Sequence, residues 1–262
     1  MDRRLYKQPF RKDTHPHWIC PTCGKGVLKI KKDAFFFTET YSSKKDHGHE
    51  DWDEEWIQYV YSCVLECSNN LCKDVVLSTG KGSVHCDIEL DDEGNPQPEW
   101  CDYFQPKFFH PHLELFSIPE SVPTDVVEEI NQSFELFFCS PSSAANHIRI
   151  ALENLLTHMK VNRIESIKKG KRRFLSLHSR IALLPAKYEN LKDSFRAIKW
   201  LGNEGSHSAS ITLDDVMDAY EIMEEALREL FERKREHIKK LVKKINKKKG
   251  SISHGVRPMN MQ

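Results

Sequence analysis

The sequence has no apolar run near the ~20 residues that a membrane-spanning helix requires. Its opening stretch, MDRRLYKQPFRKD, carries charges with no apolar core behind them, which excludes a secretory leader of the usual type. Both lacks point to the cytoplasm and to no membrane partner. No internal repeat is visible, so a solenoid is not expected. There is no overall charge either: 39 Lys and Arg balance 39 Asp and Glu. The zero hides a division. Residues 1–140 hold 14 basic and 25 acidic residues, a balance of −11, and residues 141–262 hold 25 and 14, a balance of +11. Such asymmetry suggests two modules with different surfaces. It fits attraction between the halves or to a second copy, and it also fits a basic face for RNA or DNA.

What is present is an ordinary globular balance, 39% hydrophobic and 30% charged. Eight cysteines accompany it. In a reducing compartment they do not form a disulfide framework, and thiols at short spacing there are more often metal ligands.

The first half reads as β structure. GVLKIKK, AFFFTETY, WIQYVYSCVLEC and DVVLSTGKGSVHCDIEL are rich in aromatic and β-branched residues and are separated by turn residues. SSKKDHGHEDWDEEW reads as an exposed acidic loop, and DDEGNPQPEW as a second polar turn. The chain thus divides into a basic arm at 1–17, a β domain at 18–105, a proline-rich connector at 106–123, a helical bundle at 124–249 and a disordered tail at 250–262.

The second half has helical periodicity. A first helix opens with Thr124 as N-cap after Pro123. In SPSSAANHIRIALENLLTHMKV, Ile148, Leu152, Leu155, Leu156 and Met159 share one face. VNRIESIKKGKRR reads as a basic connection. FLSLHSRIALLP is a short helix stopped by Pro185, and KYENLKDSFRAIKWLG a longer one stopped near Gly202. From TLDDV to KKKG one long final helix is expected, with Thr212 and Asp215 as its capping box. The fold class is therefore α+β: a β domain followed by an antiparallel bundle.

The strongest chemical signal is CPTCGKG. Cys20 and Cys23, separated by two residues and followed by a glycine, form the turn that wraps a metal between two thiolates. The second pair must come from Cys63, Cys67 and Cys72. Cys67 and Cys72 flank the turn-like SNNL, whereas Cys63 lies inside the strand and reads as a buried small hydrophobe. The expected ligands of a structural Zn2+ are thus Cys20, Cys23, Cys67 and Cys72, with exchange of one for Cys63 left open. Four thiolates leave no position for a reacting water. Cys86, Cys101 and Cys139 read as packing residues, and His47 and His49 as members of a solvated loop.

The order CPTCG, LELFSIPESVP, IRIALENLL and IKWLGNEGSH resembles the family of unknown function numbered 4145, over residues 18 to 232. The helical region of that family looks like the HEPN (higher eukaryotes and prokaryotes nucleotide-binding) superfamily. The resemblance implies an N-terminal zinc ribbon, a HEPN-like bundle that forms a homodimer, and a bacterial defence or toxin-like setting with a protein partner or with RNA or DNA. Many HEPN proteins are metal-independent RNases carrying Arg-Asn-x-x-x-His. Asn203 and His207 match the last two of these, while Gly202 stands in the arginine's place and Lys199 and Arg196 lie one and two turns earlier. Arg149 and Glu153 resemble the polar pair that members carry on the first core helix. The four expected site residues are His207, Asn203, Arg149 and Glu153. A 2′-hydroxyl base and a cation for the phosphorane charge are what that chemistry needs.

The same residues have a plain structural reading. Gly202 would end a helix, Asn203 would cap it, His207 would bond into the turn, and Arg149–Glu153 would be a partly buried i,i+4 pair. Lys168, Lys169, Lys171, Arg172, Arg173 and Lys199 are the cations expected to face phosphates. Three functions follow: nucleic-acid-associated recognition in a defence or toxin-like system, a metal-independent endoribonuclease using His207, and a protein-interaction adaptor.

Overall fold

The β-type runs of the first half account for three strands, with GVLKIKK and AFFFTETY merging into one, and a fourth strand forms over residues 96–110, which read largely as polar turn and connector. In the computed structural model, strands β1 (Leu28–Glu39), β2 (Gln58–Cys67), β3 (Val75–Leu90) and β4 (Pro96–His110) form an antiparallel sheet in the order β1-β2-β3-β4. The structure describes residues 3–90, 94–166, 171–207, 211–232 and 234–250. For residue 89, for 204–207 and for 234–240 it describes the backbone alone. Alternation along β2 buries Tyr61, Cys63, Leu65 and Cys67 and turns Val60 and Ser62 to the other face. On the inner face Phe35, Tyr61 and Phe104 meet with ring centroids 4.8–5.4 Å apart. β4 extends to His110, so the proline-rich connector begins at 111 rather than 106. The polar turn is likewise shorter than expected, because Pro96 already lies in the strand. Prolines are tolerated there because β4 is an edge strand.

The basic arm is ordered by packing. It contains helix α1 (Arg4–Lys7), and Phe10 pairs with Phe104 through two 2.8 Å backbone hydrogen bonds. Trp18 is buried and donates its indole N–H to the Leu5 carbonyl at 2.9 Å. Arg3 reaches Asp218 at 2.5 Å and Glu221 at 3.0 Å, and Lys7 pairs with Asp214. These ion pairs of the arm therefore run against the gross charge division: basic arm to acidic helix. In the acidic loop, helix α2 (Tyr41–Asp46) is capped by Thr40.

The bundle is made by α3 (Thr124–Leu136), α4 (Pro141–His158), α6 (Lys192–His207) and α7 (Leu213–Phe231), with the short α5 (Leu177–Ala182) between α4 and α6. Pro123, not Thr124, occupies the N-cap of α3. Ile130, Ile148, Leu152, Phe195, Val216, Tyr220 and Met223 are fully buried among the helices. At the centre Tyr220 donates to the Ser133 carbonyl at 3.0 Å, and Ser133 Oγ donates to the Ala144 carbonyl at 2.7 Å, so these buried polar groups are satisfied. Phe109 of β4 packs between Trp18 and Phe138, at 5.0 and 4.9 Å, and sheet and bundle share one continuous core.

Three helical expectations change. α6 does not stop at Gly202 but continues to His207. The final helix is two: the chain turns extended at Glu232 (φ −78°, ψ 111°), and α8 (Lys234–Lys248) follows. The basic connection after α4 contains a two-stranded hairpin, β5 (Ile164–Ser166) with β6 (Arg172–Phe174). The Thr212–Asp215 capping box forms in full. Among the described residues no helix is long and apolar enough to cross a membrane.

Candidate metal centre

Two loops deliver four sulfurs to one point. In the first, Gly24 adopts φ +60° and donates its N–H to the Cys20 carbonyl at 2.9 Å, while Cys20 N–H bonds the Gly26 carbonyl at 2.8 Å. This folds Cys20 and Cys23 onto the same side. Gly26 is required by close approach, since a Cβ there would collide with Cys67 Sγ. The second loop leaves β2 at Cys67. Asn69 Oδ1 accepts the Leu71 N–H at 3.0 Å, and the Asn69 carbonyl accepts the Cys72 N–H at 2.9 Å, a turn that returns Cys72 to the cluster. Thr22 and Asp74 hydrogen-bond across the two loops.

The four Sγ atoms lie within 4.8 Å of one another. Cys20–Cys72 is 3.9 Å and Cys23–Cys67 is 3.7 Å. Those distances are far from a bonded disulfide, whose S–S length is about 2.05 Å. They agree with the ~3.8 Å edge of a tetrahedron of sulfurs each ~2.3 Å from a zinc ion. N–H donors face the sulfurs as well: Gly26 to Cys23 and Asn69 to Cys67, each at 3.4 Å. The Gly26 N–H and its Lys25 neighbour hold the Cys23 thiol down, at about 6, whereas burial raises that of Cys67 to about 12. A site of this kind gains its thiolates by exchanging protons for a cation.

Cys63 stays out of the cluster. It is buried, and desolvation pushes its thiol up to about 12, as suits a packing residue. Cys101 is also buried, but Cys86 and Cys139 are exposed and do not serve packing as expected. Asn69 orders the second loop and points its Nδ2 at Cys23 from 3.7 Å, a role that the cysteine spacing does not reveal. An Asn directly inside a Cys-flanked turn is the signal that the sequence offers.

The polar residues of the bundle meet where α4 crosses α6. A Cβ on Gly202 would lie 2.5 Å from Arg149 Cβ and 3.0 Å from the Ala145 carbonyl oxygen. Glycine at 202 thus permits the crossing, and the side chain standing there is Arg149. Its guanidinium donates to Glu153 at 2.7 Å and to Asn146 at 3.0 and 3.3 Å. Asn203 follows on α6, half-buried, and the side chain of His207 lies outside the described atoms. Lys199 is buried, 4% exposed, with its ammonium 3.1 Å from the centroid of the Trp200 ring. Burial holds its pKa down, and the ammonium is not presented to solvent as a phosphate contact would require. Lys171 and Arg172 are exposed at β6, Arg173 is exposed and paired with Glu165, and Lys168 and Lys169 lie outside the described residues.

Nearby, Arg180 caps the end of α4. It is 2% exposed and donates to the Glu153 carbonyl and Thr157 Oγ1, each at 2.9 Å, and to the Val161 carbonyl at 3.4 Å. A cation at the carbonyl end of a helix is favourably placed in its dipole.

Residues 8–109, which contain the sheet and all four clustered cysteines, match a family described as Domain of unknown function (DUF8608). No curated protein and no solved structure matches the chain. Residues 131–251 match the family described as Domain of unknown function (DUF4145), and the helical part of the chain belongs to that family.

Proposed function

We propose that this protein is a nucleic-acid-associated recognition module of a defence or toxin-like system, built from a zinc ribbon and a HEPN-like bundle. The tetrahedral spacing of the four sulfurs supports zinc as the bound ion. When bound, zinc supplies no reacting position. It ties the Cys20–Cys23 turn to the end of β2, which fixes the start of β1 against the sheet.

The recognition reading is carried by one observation: exposed cations concentrate beyond α4, at the start of β6 (Lys171, Arg172) and along α8 (Lys243, Lys247). These are the surfaces that would follow a phosphate backbone, each contact releasing a counterion. Fluorescence anisotropy with single-stranded and duplex RNA and DNA, from about 50 to about 300 mM salt, tests this. Binding is expected to weaken steeply with salt, and K171E/R172E is expected to flatten the slope by about 1.4–1.8 for the two phosphates lost. Salt-independent binding, or none, would favour a protein adaptor instead.

A second reading, a metal-independent endoribonuclease, is favoured by the position of Arg149. Its side chain stands against Gly202, where the RNase pattern has arginine, and the same helix carries Asn203 and His207. RNA cleavage that persists in chelator and disappears in His207→Ala would support it. An inactive wild type on every RNA tried would eliminate it.

A further inference from the structure

The sheet has an outer face that its own core does not use. Phe36, Ser62, Thr79 and Phe108 align in register across all four strands, with Phe36 64% and Phe108 44% exposed. Val60, one pair further along on the same side, is 50% exposed. Such a row spans three interstrand spacings, ~14 Å, against ~10 Å for a helix with its side chains. Beyond Val60 the face deepens into a cleft of about 610 Å³ whose lining includes Glu55, Ile57 and Lys81. Glu55 ends the acidic segment 46–55, which holds Asp46, Glu50, Asp51, Asp53, Glu54 and Glu55 and no Lys or Arg.

Aromatics on a sheet can stack nucleic-acid bases, but the acidic segment that reaches the cleft at Glu55 carries six carboxylates, which outweigh the single cation of the cleft lining, Lys81, and disfavour phosphate. The fitting occupant is basic on its flanks and apolar on its contact stripe. One segment of the chain has that form. On α8, Leu241, Val242 and Ile245 recur at helical spacing, and Val242 and Ile245 are 47% and 41% exposed, so the helix does not bury this stripe on its own chain. Lys244 and Lys248 flank the stripe, while Lys243 and Lys247 lie opposite and stay available to phosphates. The gross charges, −11 before residue 141 and +11 after it, have the same complementarity.

We propose that α8 of one copy docks in the outer sheet face of a second copy. Leu241, Val242 and Ile245 cover Phe36, Val60 and Phe108, and Lys244 and Lys248 turn to the acidic segment. Each chain offers one helix and one groove, so a reciprocal exchange closes into a two-fold dimer.

The test is carried out on the full-length chain. Light scattering on a sizing column should give a dimer that dissociates as salt rises. A p-benzoylphenylalanine at position 245, in an equal mixture of isotopically light and heavy chains, should give light–heavy crosslinks into peptides containing Phe36 or Val60. Phe36→Glu and Val242→Glu should each weaken association at least about tenfold. Both positions are exposed, and circular dichroism checks that the variants remain folded. Mixing the two variants should restore a dimer with one intact contact. A monomeric wild type at about 50 µM, crosslinks that are only intramolecular or that map elsewhere, or variants that associate like wild type would each overturn the proposal. None of these readouts depends on nucleic-acid binding.

Discussion

Replacing Gly202 by alanine puts opposing effects on one atom. In a free helix the change stabilises by about 1 kcal/mol, because glycine has the poorer propensity. Here the added Cβ would stand 2.5 Å from Arg149 Cβ and 3.1 Å from its Cδ, with the Ala145 carbonyl at 3.0 Å. Ordinary contact begins near 3.4 Å, so α4 and α6 must separate by roughly 1 Å at this crossing. Ile148, Leu152, Phe195 and Ile198 on these helices are fully or nearly fully buried, and they lose contact as the helices part. Overpacking of that kind costs about 1–3 kcal/mol. The overpacking should outweigh the gain in propensity, leaving Gly202→Ala less stable by about 1 kcal/mol, or ~2–4 °C in Tm for a chain of this size. Thermal unfolding followed by circular dichroism measures it. Gly48→Ala is the control, because a Cβ there meets nothing closer than 3.8 Å. Gly202→Ala with an unchanged or higher Tm would refute the close crossing, and with it the reason given for glycine in the arginine's place.

Three further outcomes follow from the same structure. Arg180→Met should cost about 3 kcal/mol in chemical denaturation, since it removes three charge-assisted hydrogen bonds, to the Glu153 and Val161 carbonyls and to Thr157 Oγ1, from a buried site. Thr212→Ala should cost about 1 kcal/mol through loss of the α7 capping box, read by the same method. Hydrogen bonds from Thr212 and Arg3 hold the carboxyls of Asp215 and Glu221 below their ordinary values of 3.8 and 4.5. Their stabilisation is therefore complete above those values and is lost as pH falls through the depressed ones. Glu221→Gln should accordingly lose less stability than wild type on acidification from pH 5 to pH 3.

Local chemistry is the most legible part of the sequence. The Cys20–Cys23 turn announces itself because two thiolates and a following glycine impose a short-range geometry. Cys67 and Cys72 can be chosen over Cys63 because they flank the SNNL turn, whereas Cys63, on the same strand face as Cys67, lies well inside the strand. The first three strands and the bundle helices are likewise readable from their patterns, whereas β4 forms largely from residues that read as a polar turn and a proline-rich connector. What fails is punctuation. Gly202 looks like a helix stop, yet its reason lies 53 residues away in Arg149, and no local rule reports a helix crossing. The break at Glu232 has neither Gly nor Pro to mark it. The docking of the basic arm on α7 depends on Arg3 meeting Asp218 and Glu221 from the far end of the chain. Lys199 reads as a surface cation, but its fate is decided by helix packing that charge patterning does not encode.

The metal centre stands or falls with Cys20, Cys23, Cys67 and Cys72 holding one zinc ion. X-ray absorption at the zinc edge, on protein purified without added metal, tests it most directly. One zinc per chain is expected, with four sulfur neighbours at ~2.3 Å and no light-atom ligand, reduced in occupancy by Cys72→Ser and unchanged by Cys63→Ser. Absence of zinc, nitrogen or oxygen bound to it, or loss of the metal in Cys63→Ser would contradict that assignment.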